Sequence, residues 1–438
     1  MDVVEGTAPQ KPVAGRQTGL LLLLAAINFT HILDFVIVMP LGDQLRHDLA
    51  ITPQQFGFIV SAYGLAAVVA GILASTVVDR FDRKTVLLVA FAGFIFATLY
   101  CGLAADYAHL LLARALAGLF GGVAASGIMA IIGDVFPDKQ RGKAIGAVTS
   151  SFAVASIIGL PIGLSLANWF HNWGAPFLAI AGLGTVVWAV AAWRLPSLTH
   201  HRAGQHAHPI AQFAAVLRQP NHLWSFAFML AMVFGTFIIV PYFAPYFQAN
   251  CGRSKEDLPI IYAVAGVGSL VMMNLIGWLT DRFGAQGVFL ATAGGAVVMT
   301  LVITNLPPVS LAGAVATATL FMVLASGRVV PAQTMMLRSA DPKLRGAFTN
   351  LNTAVSHFAT GTGPVIAGLI IGEEYQGGPL TYYWLAGLVA AAFGIAALVL
   401  SFLLRPAAAP QPQTVPANPF PMALDPEPLP EAEEVATP

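Results

Sequence analysis

The chain has 438 residues, 57% hydrophobic and only 10% charged, with a formal net charge of zero. Soluble domains carry about 25% charged residues, so most of this chain must sit in a lipid bilayer, and the balanced charge gives no case for a nucleic-acid partner. No Ser-His-Asp set, metal motif or phosphate loop stands out, so an enzyme is not expected and no cofactor is implied.

Residues 1–17 form a polar N-terminal tail. A membrane-spanning helix needs about 20 mostly apolar residues. Twelve such runs follow, at roughly 18–40, 55–78, 84–104, 108–134, 144–168, 175–194, 222–248, 258–280, 286–305, 309–336, 347–371 and 381–404. Strands of a membrane barrel would alternate every second residue, which these runs do not. The expectation is an all-α membrane protein with six-helix halves at 18–194 and 222–404, joined by a linker at 195–221. No cleavable signal stands out, because the first apolar run is already long enough to span.

The first span reads Asn28-Phe-Thr-His31-Ile-Leu-Asp34-Phe-Val-Ile-Val-Met-Pro40. Asp34 is the one acid placed well inside a predicted span. A charge at membrane depth costs several kcal/mol and normally faces a partner or a wet cavity, so Asp34 marks a functional site. His31, one turn away, suits a proton relay or a hydrogen bond across helices. Asn28 lies on the same stretch and is a cavity candidate. The fourth span carries Arg114. Asp34 lies six residues below Pro40, about 9 Å in at 1.5 Å per residue, and Arg114 comes out at nearly that depth. The two charges are expected to neutralise each other; the alternative is an Arg114 bonded to backbone carbonyls and an Asp34 facing water.

The linker holds His200, His201, His206 and His208, but no carboxylate or thiol completes a metal set, so it reads as a His-rich polar connector. The seventh span is rich in aromatic and sulfur side chains, including Phe226, Met229, Met232, Phe234 and Tyr242, which suit either ordinary packing or a lipophilic ligand. The tenth carries Arg328, readable as an anion site or as a tie between helices. The eleventh carries Asn352, Thr353, Ser356, His357 and Thr360; positions 353, 356, 357 and 360 share a face, and a polar stripe in lipid should turn to a cavity. Counting along the helices puts Arg328 and His357 at a similar depth. Residues 405–438 are rich in Pro and acids and are expected to be a disordered tail. Cys101 and Cys251, both near predicted outer ends, pair only if the fold brings them together.

Sixteen of the 21 Lys and Arg fall on the side of the termini and three on the other. By the positive-inside rule both termini are cytoplasmic, and the expected location is the cell (inner) membrane. The halves also repeat. Asp79-Arg80-Phe81 recurs as Asp281-Arg282-Phe283, Lys139-x-Arg141-Gly142 as Lys343-x-Arg345-Gly346, and Pro161 as Pro364, at a steady offset near 203 residues.

The loop Asp79-Arg80-Phe81-Asp82-Arg83-Lys84 resembles the G-x-x-x-D-R-x-G-R-K signature of the major facilitator superfamily, with Ser75 and Asp82 where the signature has glycine. Gly277-x-x-x-Asp281-Arg282-Phe283-Gly284 is its counterpart. Arg114-Ala-Leu-Ala-Gly118 is similar to that family's R-x-x-x-G, while Gly159-Leu160-Pro161-Ile162-Gly163 and Gly361-Thr362-Gly363-Pro364 resemble the Gly/Pro signature of its drug:proton antiporter branch. The resemblance covers about residues 17–405. It implies parallel halves that rock around a midplane site, a small-molecule substrate, protons as coupling ion, and the lipid bilayer as the surrounding medium. It also implies a conformational latch at Asp79, Arg80, Arg83, Lys84, Asp281 and Arg282, with each Asp set against a helix N-terminus of the other half, near Gly346 and Lys143 respectively. A monomeric exporter is the resulting expectation. Uptake of a sugar or organic anion, and a transporter-like sensor or assembly factor, are the alternatives.

Overall fold

The computed structural model describes residues 14–77, 81–195, 209–342 and 344–407. Twelve helices of membrane-crossing length run up and down among them. In the first half they are α1 (Ala14–Ile37), α2 (Pro53–Val77), α3 (Arg83–Gly102), α4 (Tyr107–Val135), α5 (Gln140–Phe170) and α6 (Ala175–Arg194). In the second they are α7 (Pro220–Ala249), α8 (Leu258–Phe283), α9 (Ala285–Ile303), α10 (Leu311–Ser339), α11 (Arg345–Ile370) and α12 (Tyr383–Ser401). Eleven are apolar enough throughout to be recognised as spans by hydropathy alone. The twelfth, α11, falls short because of its polar stripe. The described part of the linker adds one helix, Pro209–Leu217, which the polar composition did not suggest. The His-rich linker residues 200–208 and the tail from 408 onward lie outside the described residues.

Three spans are broken ahead of a proline, and those breaks have the same cause. A proline has no N–H to donate to the carbonyl four residues earlier, and its ring crowds that carbonyl. In α5 a π-turn at Ala155–Gly159 contains the residue four before Pro161. In α7 the first segment stops at Phe237, four before Pro241. In α10 it stops at Gly327, four before Pro331. α1 ends at Ile37, just short of Pro40. The departure Asp82 has a local role too: its side chain accepts from the Lys84 backbone N–H at 3.3 Å and caps α3.

Within the first half, small residues let helices close up. At Gly122 of α4 an added Cβ would lie 2.8 Å from the Ala67 carbonyl of α2. Such contacts hold helices together where lipid removes the hydrophobic drive. The halves meet along α2 and α11 and along α5 and α8. Gly64 and Gly361 approach backbone to backbone, a Cβ on Gly64 meeting Gly361 at 2.8 Å. Tyr242 of α7 donates to the Pro53 carbonyl of α2 at 2.7 Å. Asn168 at the end of α5 donates to the Lys255 carbonyl before α8 at 3.1 Å. These contacts fall in the half of the bundle remote from the termini, here called the far face. The opposite end is the terminal face.

The far face is sealed by loops. A short helix, Gly42–Asp48, follows α1, and an antiparallel pair, β1 (Gly372–Glu373) and β2 (Leu380–Thr381), precedes α12. Fully buried Arg46 joins them, bonding Glu373 at 2.5 Å and the Gly378 carbonyl at 2.9 Å, with Asp43 at 3.5 Å. Burial pushes the Asp43 carboxyl up, while Arg46 and His47 beside it act the other way. Gln376 reaches back to the Ala50 carbonyl at 2.9 Å. Cys101 and Cys251 are both buried free thiols, with no disulfide between them.

Removing one partner of a well-buried ion pair costs about 3 kcal/mol, the low end of the observed range, and Glu373 is 13% exposed. Arg46→Ala therefore shifts the balance toward far-face opening by about a hundredfold. The check is labelling from the far side, by an impermeant maleimide, of a cysteine placed at Val60, which is fully buried here. Native Cys101 and Cys251 are replaced by Ser for this measurement.

Candidate functional site

Asp34 lies three residues from the end of α1, and its carboxylate turns inward between α1 and α4. Arg114 Nη1 donates to Asp34 Oδ2 at 2.8 Å and to the Asp34 backbone carbonyl at 3.1 Å. Both side chains are fully buried. The guanidinium stacks over Tyr63 of α2 at 4.7 Å, with Phe177 of α6 at 6.0 Å, so a cation–π contact holds it from a second side. Gly118, one turn along α4 from Arg114, presses on the Tyr63 backbone and brings that ring under the guanidinium. That gives a physical reason for an R-x-x-x-G pattern here: the glycine sets the distance, the arginine uses it.

His31 lies one turn before Asp34. Its ring meets Tyr63 edge-on at 5.6 Å and Phe94 at 5.6 Å, and it packs on the bare face of Gly121. Across the seam between halves, His357 of α11 is within electrostatic reach of His31, and its carbonyl lies beside Gly64. Asn28 is buried, and its amide donates to the Val148 carbonyl of α5 at 3.0 Å. Ser356 and His357 are half-buried on α11. Asn352 is half-buried as well, and its Oδ1 has no hydrogen-bond partner.

Arg328 is buried and donates to the Met232 carbonyl at 3.1 Å and to the Thr236 hydroxyl, so it ties α10 to α7. It makes no hydrogen bond with His357 among the described residues, although counting along the helices put them at a similar depth. Of the latch residues, Asp79 and Arg80 lie outside the described residues. Arg83 is buried and bonds Asp134 at the end of α4 at 3.2 Å, within one half. Lys84 is half-buried at the start of α3. Asp281 is exposed and makes no ion pair among the described residues, and Arg282 stacks on Trp278 at 5.3 Å. No hydrogen bond or ion pair joins Asp281 to the other half among the described residues.

Sequence reasoning passed over Tyr63, Thr98, Phe177 and Gly121. Thr98 stands one turn from Cys101 on the buried face of α3, and no motif signals any of the four. Gly121 carried a faint signal, being seven residues from Arg114 and so on the same face. An open depression of about 920 Å³ lies elsewhere. It sits on the terminal face of the second half, between Asn221, Asp341 and Arg405. No group of three or more metal-ligating side chains gathers among the described residues.

The sequence profile of the Major Facilitator Superfamily matches residues 24–333. The chain is 24% identical over 390 residues to an uncharacterized MFS-type transporter, YbcL of Bacillus subtilis (strain 168), covering 89% of this chain and 97% of the relative. It is 22% identical over 372 residues to multidrug resistance protein 2 of the same organism, covering 82% and 90%. Its fold is similar to the crystal structure of a bacterial homolog of the human lysosomal transporter Spinster, in an inward-facing and occupied conformation. That likeness has a TM-score of 0.73 at 16% identity, covering 90% of this chain and 97% of that one.

Breaking the central pair from one side strands a buried charge, at about 3–5 kcal/mol, whereas replacing both partners removes that penalty. Arg114→Met should therefore lower the melting temperature in detergent by several degrees. The double substitution Asp34→Asn with Arg114→Met should melt above Arg114→Met alone. Equal melting of the two would show that the pair is not coupled.

Proposed function

The chain belongs to the Major Facilitator Superfamily, and from that premise we propose that it is a proton-coupled exporter of a small organic compound. Membership makes it a multi-pass membrane transporter rather than an enzyme. The finer reading rests on one observation above all: a carboxylate and a guanidinium, both fully buried at membrane depth, 2.8 Å apart in a bundle that must open and close. A lone charge there would be expensive, so Asp34 can lose Arg114 only by taking up a proton or meeting water. A group whose proton follows which face is open is what coupling requires.

In this reading the terminal face is cytoplasmic, as the Lys and Arg bias suggests, and the described state is sealed toward the outside by the Arg46–Glu373 loops. Substrate enters from the cytoplasm, lodges between α1, α7 and α11, and favours release of the Asp34 proton inward. The outward-open state then reloads Asp34 from outside. Each pH unit supplies about 1.4 kcal/mol per proton, and each charge crossing 100 mV supplies about 2.3 kcal/mol. The likeness to a multidrug resistance protein supports a lipophilic organic substrate. Phe226, Met232 and Phe234 of α7 supply adaptable apolar surface for one. Asp79 and Asp281 serve as latches that engage the opposite half only when the cytoplasmic face is shut, each worth about 0.3–2 kcal/mol. That matches the exposed Asp281 of the present state.

In proteoliposomes with an imposed pH gradient, Asp34→Asn should abolish gradient-driven export of a dye such as ethidium while the protein remains folded. Protons should move against substrate in the unaltered protein. Movement of both in the same direction would replace export by uptake, and coupling that survives Asp34→Asn would remove Asp34 from the mechanism. Asp281→Asn should raise cytoplasmic labelling of a cysteine at Lys143 about two- to fivefold, in line with a contact of this size; unchanged labelling would discard the latch.

A further inference from the structure

Around the Asp34–Arg114 pair, six side-chain atoms have no hydrogen-bond partner. They are His31 Nε2, Asp34 Oδ1, Tyr63 Oη, Thr98 Oγ1, and Nε and Nη2 of Arg114. The five residues are between 0% and 9% exposed. Interiors tolerate few such atoms, each at a cost of about 1–3 kcal/mol, so six in one place are not six separate defects. They come from four helices and share one small space. Arg114 lies over the Tyr63 ring, Tyr63 meets His31, and Thr98 stands beside Asp34. A Cβ added at Gly121 would lie 2.6 Å from His31 Nε2 and 2.7 Å from Tyr63 Oη. Both atoms therefore close on the bare face of α4 at Gly121, near enough to each other for a single water to bridge them. A buried site with several unsatisfied donors and acceptors is where internal water is held.

We propose that Tyr63, Thr98 and Gly121 build a hydrated relay that carries protons between Asp34 and His31. The inference rests on the reading of Asp34 as the coupling acid, and goes beyond it by naming the route and the residues that shape it. Thr98 and the free nitrogens of Arg114 orient the first water against Asp34 Oδ1. Tyr63 Oη passes hydrogen bonding on toward His31 Nε2. His31 then presents the proton to the seam between halves, where His357 stands. At each hop one O–H or N–H bond breaks as the next forms, with no change of oxidation state. The ionisable groups facing the relay are Asp34 and His31 of α1, Tyr63 of α2, Cys101 of α3, Arg114 of α4 and His357 of α11. Phe94 and Phe177 form apolar walls. Gly121 is the lever, because any side chain there would push His31 Nε2 and Tyr63 Oη out of their present positions.

The test is the protonation of Asp34 in the reconstituted full chain, followed by infrared difference spectroscopy after a pH jump. Asp34→Asn identifies the carboxyl band. Gly121→Ala and Tyr63→Phe should each slow proton uptake by about tenfold or more, with the midpoint of the titration little changed. Thr98→Val should do so to a lesser degree, and Ser61→Ala, which alters a buried hydroxyl on another face of α2, should leave the rate alone. Unchanged rates in Gly121→Ala and Tyr63→Phe would overturn the relay while leaving Asp34 as the coupling acid. A shifted midpoint with an unchanged rate would make these residues structural supports and overturn it equally. If no Asp34 band titrates in the unaltered protein, the coupling reading falls, and the relay with it.

Discussion

A carboxylate in a low-dielectric interior must find an opposite charge or a proton. That requirement organises the first half of this protein. Asp34 and Arg114 come from helices 80 residues apart in sequence, and everything near them serves to bring them together. Gly118 lets α4 approach α2, Tyr63 supplies a ring face, and Phe177 closes the other side. The pair is neutral as a unit, so it can sit at membrane depth. It is also poised, because any motion that separates the partners forces one of them to change protonation or hydration.

Glycine and proline do most of the shaping. Proline sets where a span bends: Pro161, Pro241 and Pro331 each release a carbonyl four residues earlier, and each helix breaks there. Glycine sets how near two helices come. Gly64 and Gly361 allow backbone contact across the halves, and Gly121 lets His31 and Tyr63 close on α4. In lipid these effects weigh more than in water, since hydrophobic burial does not distinguish a neighbouring helix from an acyl chain.

The described state is asymmetric between its faces. On the far side, Arg46 links a short helix of one half to a strand pair of the other, and Tyr242 and Asn168 add cross-half hydrogen bonds. On the terminal side, Arg83 is engaged within its own half and Asp281 faces solvent. The cross-half hydrogen bonds described here thus lie toward the far face.

The class of the protein and its span count were legible from the residues, because twenty apolar residues in lipid can only be a helix. The repeat was legible because it is a matter of spacing. Depth counting also brought Asp34 and Arg114 level, since rise per residue is fixed. It could not say which way a side chain turns, and that is where tertiary structure decided. Asn28 bonds a carbonyl of α5, and Arg328 ties two helices of its own half together. Arg46, counted in the sequence as one outer-loop cation among three, became the fully buried join at the far face. Tyr63, Thr98 and Gly121 carry no motif, yet they surround the central charges. Periodicity reports how far along a helix a residue lies, whereas the rotation of that helix and the gaps between neighbours come only from packing all twelve together.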